Sequence, residues 1–284
     1  MGASIDVTLS AMARPVLSCT SAPEDDDRPV AARSVVASVL LPLDPPELAA
    51  QALVRCAALF GIAEGTCRVA LSRMVAAGEL QAADGRYRLT GGLLQRQVRQ
   101  RQGRRPGRLV WSGRWRLAVV SGGRRPAGER AVLRAELRQL RMAEWREGVW
   151  LRPDNLPGWD DALAGAAPTV LERCGWLLGD LVPAAGETPA ELAQRLWEVQ
   201  AWADGARRLA RRLDATEPRL ERGDVSALAP GFRAAAAVVR HLTGDPLLPG
   251  ELLPPSWPGD DVRQRYDAYE RLYRRVLQQW IAAG

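Results

Sequence analysis

The chain has 284 residues and a formal charge of +6, from 39 basic and 33 acidic side chains. With 47% hydrophobic and 25% charged residues it has a globular composition, long enough for one large domain or two to three smaller ones. No stretch approaches the roughly 18–20 apolar residues of a membrane span, and Asp6, Arg14 and Pro15 interrupt the place where a secretory leader would need a continuous apolar core.

The position of the charge says more than its total. Residues 1–29 carry a net −3, residues 30–147 a net +12 and residues 148–284 a net −3. That asymmetry is expected of a nucleic-acid module joined to something else. Every basic residue is Arg, for which a GC-rich coding bias is the plainest account. The four cysteines, Cys19, Cys56, Cys67 and Cys174, lack paired spacing. Cys56 and Cys67 fall among apolar residues and read as buried free thiols of a reducing, cytoplasmic compartment.

The single histidine, His241, stands near the end of a helical run and reads as a cation or donor serving the last carbonyls. One imidazole supplies neither a metal-ligand cluster nor an oriented acid–base pair. No GxGxxG, Walker or GxSxG motif is present, and Asp160–Asp161 and Asp260–Asp261 look like helix starts. The reading is no catalytic residue, no metal and no cofactor.

Residues 1–29 end in SAPEDDDRP and read as a disordered tail. VAARSVVASVLL predicts a first helix stopping near Pro42. PPELAAQALVRCAALFG predicts a second, with Pro46 in its first turn and Gly61 at its end. A third runs from about Ala63 to Ala77, and ELQAADGRYRLT predicts a hairpin turning at Asp84-Gly85. Three helices and a hairpin over 30–92 spell a winged helix-turn-helix.

The faces of the third helix support that reading. At about 100° per residue, Cys67, Leu71, Met74 and Val75 group as a core stripe. Gly65, Val69, Ser72 and Ala76 group opposite, flanked by Thr66, Arg68 and Arg73. Small side chains let a helix seat deeply in the major groove, and arginine binds guanine bidentately. Between Asp84 and Glu129 there are 12 Arg and no acid, a cluster that repels itself unless a polyanion or acidic surface compensates it. Arg86 and Arg88 flank Tyr87 on the second wing strand, where they reach toward phosphate or the minor groove. Arg104 and Arg105 lie in a basic linker helix over 93–107 that breaks at Gly103 and Pro106.

WRLAVV then predicts a strand and PAGERAVLRAELRQLRM a helix with Leu133, Leu137 and Leu140 on one side. AEW and GVWLR predict two short strands, followed by a brief helix near Gly158–Ala164 and a last strand within Thr169–Val182. This β-α-β-β-α-β order, over 108–183, is the ferredoxin-like arrangement, which hosts many functions. From Thr188 the chain is helical. Leu192, Leu196, Val199, Ala203, Ala206, Ala210 and Leu213 form one narrow apolar seam, and Val262, Tyr266, Tyr269, Tyr273, Val276 and Trp280 another. Either seam suits packing within the chain or a dimer interface. DPLLPGELLPPSWPG between them reads as a rigid proline-rich connector within a helical domain over 184–284. The fold class is thus α+β and multidomain.

TCRVALSRMVAAGEL with GRYRLT, WSGRWRLAVV with GVWLRPDNL, and LAQRLWEV with DPLLPGELLPPSWPG together resemble the PaaX family, bacterial transcriptional repressors named for control of phenylacetic acid degradation. The resemblance spans about Arg33 to the C-terminus. It implies the same three-domain order in a dimeric repressor that binds double-stranded operator DNA, as two half-sites, and is released by an aryl- or acyl-CoA effector. Carried over by position, Arg68, Ser72 and Arg73 fall in the recognition-helix pattern, and Arg86, Tyr87 and Arg88 in the wing. Ala63 stands where a capping Ser is common and Val69 where Thr is common, and the connector LPLDPPEL is short. A CoA thioester would suit an arginine-lined cleft between the middle and C-terminal domains. The middle domain also resembles the small CRISPR adaptation endonuclease fold, but WRLAVVSGG has no acid at its first strand's end. The alternatives are therefore a metal-dependent nuclease, which the scarce clustered acids disfavour, and a scaffold whose arginines bind RNA or an acidic partner.

Overall fold

Apolar residues at three- and four-residue spacing set the first helices. In α1 (Ala32–Leu40), Val35, Val36, Val39 and Leu40 are buried; in α2 (Ala50–Ala58), Leu53, Cys56 and Ala57 are; in α3 (Glu64–Ala76), Cys67, Leu71 and Met74 are. Burying one such leucine is worth about 2–3 kcal/mol. These elements belong to a computed structural model that describes residues 31–41, 43, 45–90, 107, 109–123, 126–166, 168–183 and 186–283. The expected tail over 1–29 and nearly all of the expected linker helix over 93–107 lie outside the described residues.

A three-stranded antiparallel sheet closes this segment: β1 (Glu47–Ala49), β2 (Leu80–Ala83) and β3 (Arg86–Leu89), in the order β1–β3–β2. Asp84 and Gly85 both have positive φ, 51° and 71°, the backbone that a two-residue primed turn requires. The strand β1 corrects the expected helix start at Pro46. Glu47 lies opposite Arg88 and Ala49 opposite Arg86, and the ladder is extended by Leu89 N–H to Pro46 O at 3.0 Å and Ala50 N–H to Gly85 O at 2.9 Å. Pairing satisfies main-chain groups on the free edge of β3 that one more helical turn would leave open.

The chain divides into two units, one containing Arg108–Glu198 with Pro246–Leu253, the other Ser21–Gly107 with Val199–Asp245 and Pro254–Gly284. In the second, α8 (Val199–Glu221), α9 (Leu228–Thr243) and α10 (Gly259–Ala282) share one hydrophobic cluster with α1–α3 and the small sheet. Leu53, Leu71 and Leu89 belong to the same cluster as Trp202, Val238 and Tyr269, and Phe60 meets Phe232 edge-on with centroids 4.9 Å apart. Both apolar seams are used inside the chain: Val199, Ala203, Ala206 and Leu213 are buried, as are Val262, Tyr266, Tyr269 and Val276. His241 corrects another expectation. Its ring stacks on Trp202 at 4.5 Å and its Nε2 lies 2.9 Å from Trp202 O. Burial lowers its pKa, so it is no helix-capping cation.

In the other unit, β4 (Arg114–Val120), α4 (Ala127–Gln139), β5 (Ala143–Arg146), β6 (Val149–Pro153), α5 (Trp159–Ala164), α6 (Pro168–Arg173) and β7 (Cys174–Asp180) follow in chain order. The sheet order is β5–β6–β4–β7 with every neighbour antiparallel. Leu133 and Leu137 of α4 pack with Ala118, Trp150, Val170 and Cys174. Within the apolar stretch Thr169–Val182 the expected last strand is Cys174–Asp180, preceded by α6, from which Val170 reaches the core. The helix expected from Thr188 is split. A shorter α7 (Pro189–Leu196) opens with a Thr188–Glu191 capping box, and Glu198, at φ 45°, breaks the chain before α8.

Arg152 is fully buried and bonded to oxygens of neutral groups: Pro153 O at 2.9 Å, Arg141 O at 3.2 Å and Asn155 Oδ1 at 2.9 Å. Asn155 in turn donates to Leu247 O at 2.9 Å, tying the Pro246–Leu253 segment into this unit. Burial lowers the Arg152 guanidinium to about 9.

Candidate nucleic-acid interface

The buried stripe of α3 fixes which of its residues face outward. Gly65, Thr66, Arg68, Val69, Ser72, Arg73 and Ala76 are all exposed, and Val69 stands 51% exposed on a surface where an apolar side chain gains nothing from water. Val75, expected in the core stripe, is exposed as well. Arg68 pairs with Glu64 one turn earlier at 2.7 Å, both side chains open to solvent. Such a pair is worth a few tenths of a kcal/mol and gives way readily to a stronger anion. Ser72 Oγ donates to Arg68 O at 3.1 Å. Arg73 has no ion-pair partner among the described residues. No side chain caps α3 at Ala63, so the first N–H groups stay available to an anion.

The β2–β3 hairpin is more constrained than its sequence suggests. Arg86 and Arg88 leave the same face of β3 and converge on one carboxylate, Glu47 of β1, at 2.5 Å each. Hydrogen bonds from Arg86 and then Arg88 hold the Glu47 carboxyl below the usual carboxylate range. The trio keeps a net single positive charge, with both guanidiniums about half exposed. Tyr87 lies on the other face of the strand, half-buried against the hydrophobic core. Between the β2–β3 turn and the start of α3 lies an open concavity of about 490 Å³, with Gln51, Arg55, Glu64, Arg68 and Gly85 on its wall. Glu47 and Gln51 are the residues that sequence reasoning missed. A lone Glu beside two prolines carries no signal until the strand register sets it against two arginines.

Arg104 and Arg105 lie outside the described residues. Of the 12-arginine run, Arg116 is committed elsewhere. It is held by Asp154 and Asp160 at 2.6 Å each, with its guanidinium 4.4 Å from the Trp159 ring centroid. Among the described residues no group of three or more His, Cys, Asp or Glu is arranged to hold a metal, and no helix is long and apolar enough to cross a membrane. Cys56, Cys67 and Cys174 are buried, Cys56 and Cys67 as free thiols, and burial pushes the Cys56 thiol up to about 12, far from a reactive thiolate.

Residues 31–93 match the family described as PaaX-like protein, and residues 197–283 match the PaaX-like protein C-terminal domain. No curated protein matches the chain. Among solved structures, an uncharacterized protein from Mycobacterium tuberculosis, Rv0674, is 39% identical, with a TM-score of 0.68 over 87% of this chain and 97% of that one. The two family matches, in the expected order and together covering more than half of the chain, show that the chain belongs to the PaaX-like family.

Proposed function

We propose that this chain is a sequence-specific DNA-binding transcriptional regulator acting in the cytoplasm as a dimeric repressor. The observation that carries the reading is the outward face of α3, small side chains bracketed by Arg68 and Arg73 and set beside a two-arginine wing. The order α1–β1–α2–α3–β2–β3, with the sheet order β1–β3–β2, supports a winged helix-turn-helix in which α3 enters the major groove and the wing tracks phosphate. The order β5–β6–β4–β7 supports a ferredoxin-like middle unit. Membership in the PaaX-like family, a family of regulators rather than enzymes, extends the reading to an acyl-CoA-type effector that relieves repression.

Thr66, Val69 and Ser72 are then the groove-seated positions, with Val69 suited to a thymine methyl. Arg68 and Arg73 read bases, and Arg86, Arg88, Arg104 and Arg105 neutralise phosphates. Tyr87 buttresses the wing from behind.

The test is a mobility shift of a duplex carrying the promoter upstream of the protein's own gene, against random duplex, with and without a panel of CoA thioesters. A discrete complex that survives competitor DNA and dissolves with one thioester is the expected result. Equal retention of both duplexes at low salt would overturn the regulator reading. Magnesium-dependent cleavage of either would instead favour a nuclease.

A further inference from the structure

Four consecutive acids, Glu24, Asp25, Asp26 and Asp27, stand in the sequence shortly before α1. The place where α1 begins is fixed by a forked ion pair. Arg33, in its first turn, donates from Nε to Glu79 Oε2 at 2.9 Å and from Nη2 to Glu79 Oε1. Glu79 N–H in turn donates to Met74 O at 2.9 Å, and Arg73 is the residue before Met74. The start of α1 is therefore seated at the C-terminal end of α3, beside Arg73.

Chain length and charge say what the acids can meet there. From Asp27 to Ala32 the backbone spans up to about 17 Å at roughly 3.3–3.6 Å per residue. Arg68 lies about 7.5 Å further along α3 than Arg73, at about 1.5 Å per residue. Arg73 has no ion-pair partner among the described residues, and Arg68 pairs with an exposed Glu64. Residues 1–29 carry a net −3 against +12 over residues 30–147. Acids ahead of a helix also favour its dipole, but that effect fades within the first turn. Here the first turn of α1 holds no acid, and the run ends five residues before Ala32.

We propose that residues 24–27 act as a built-in DNA mimic, their carboxylates engaging Arg68 and Arg73 in the free protein and yielding them to a duplex. This rests on the DNA-binding reading above and deepens it by naming a competitor carried in the same chain. A competitor in cis must be displaced by every duplex, so it weakens operator and random DNA by one common factor. It holds the basic half off bulk DNA, where binding is nearly all electrostatic, and leaves the preference between sites untouched.

The test is the full chain carrying Glu24→Gln, Asp25→Asn, Asp26→Asn and Asp27→Asn together. A control makes the same change of charge at four exposed acids of the other unit, Glu129→Gln, Glu147→Gln, Glu172→Gln and Glu251→Gln. Relative to the control, fluorescence anisotropy at about 50 mM salt is expected to show both duplexes bound about 3–10-fold more tightly, as two exposed ion pairs would give. The gain should shrink toward nothing at about 0.5 M salt, where screening acts over roughly 4 Å, and should be smaller in an Arg73→Ala background. A heparin column reads the same covering without DNA, and the variant is expected to elute at higher salt than the control. Elution with the control, or a gain that Arg73→Ala leaves whole, overturns the mimic; a wild type that still prefers its operator then keeps the regulator reading. Later elution from heparin with equal retention of operator and random duplex keeps the mimic and overturns the regulator.

Discussion

The guanidinium of Arg55 donates to the main-chain oxygen of Trp280 at 2.8 Å and lies over the indole of the same residue, 4.7 Å from its centroid. It also donates to Ile281 O at 3.0 Å. The last carbonyls of α10 lack intrahelical partners, and a cation there also suits the helix dipole. Arg55→Ala is expected to cost about 1.5–3 kcal/mol in denaturant unfolding. Arg55→Lys should recover little of it, because an ammonium cannot both fork across two carbonyls and stack flat. A loss within about 0.5 kcal/mol, ordinary for a surface substitution, would contradict this role.

Arg73→Ala and Arg104→Ala test the proposed base reading against the proposed phosphate neutralisation. The first is expected to weaken operator binding by about 1–3 kcal/mol and relax the preference at one base pair. The second should weaken operator and scrambled duplex alike and lower the salt slope by about one. Fluorescence anisotropy over a salt series distinguishes them. Equal losses on both duplexes for Arg73→Ala would remove it from the base-reading set.

Glu47→Gln releases the Arg86 and Arg88 guanidiniums of β3 from their shared carboxylate. The strand pairing of β1 is main-chain and persists, so the fold should hold. Affinity for random duplex is expected to rise and its salt slope to steepen by about one unit. Because Arg86 and Arg88 lower the Glu47 carboxyl below its ordinary 4.5, Glu47 itself adds no pH dependence to DNA binding between about pH 5 and 8. A wing-borne pH effect in that window, abolished by Glu47→Gln, would contradict the clamp.

His241 sets an acid limit on stability. Its pKa is lowered below the ordinary 6.5 by burial, against the bond to Trp202 and the charge of Asp245. The unfolded chain therefore takes up the proton first. Stability is full above about pH 6.5 and falls as the pH drops toward the lowered value. His241→Gln is expected to flatten that part of the profile while costing stability at pH 7. Gly205 belongs to the same seat, since a Cβ there would stand 2.7 Å from the His241 ring. Gly205→Ala should destabilise by about 1–3 kcal/mol through overpacking. A wild-type melting temperature that is flat from pH 7 to 5 would count against the buried neutral ring.

The sequence was legible where one local pattern decides the structure. The core stripe of Cys67, Leu71 and Met74 specifies α3, and Asp84-Gly85 specifies its hairpin, because helix period and turn chemistry act within a few residues. Glu47–Ala49 was not legible, since three residues carry no period and become a strand only against β3. The same holds for the break at Glu198 and the capture of Leu247 by Asn155, where distant partners decide. His241 misled for the opposite reason: its local signal was clear, and stacking on Trp202 overrode it. At the candidate interface the outward arginines of α3 could be read directly, whereas the Glu47 clamp required strand register.

The division of the chain between its two units has a consequence for biosynthesis. The segment bearing α1–α3 is translated before α8–α10, with which it shares one hydrophobic cluster. Pro246–Leu253, which belongs to the intervening unit, is likewise translated only after α9. Part of the apolar surface of the nascent helix-and-hairpin segment stays uncovered until α8–α10 emerge. Full burial of the core behind α3 therefore waits on the synthesis of α8–α10.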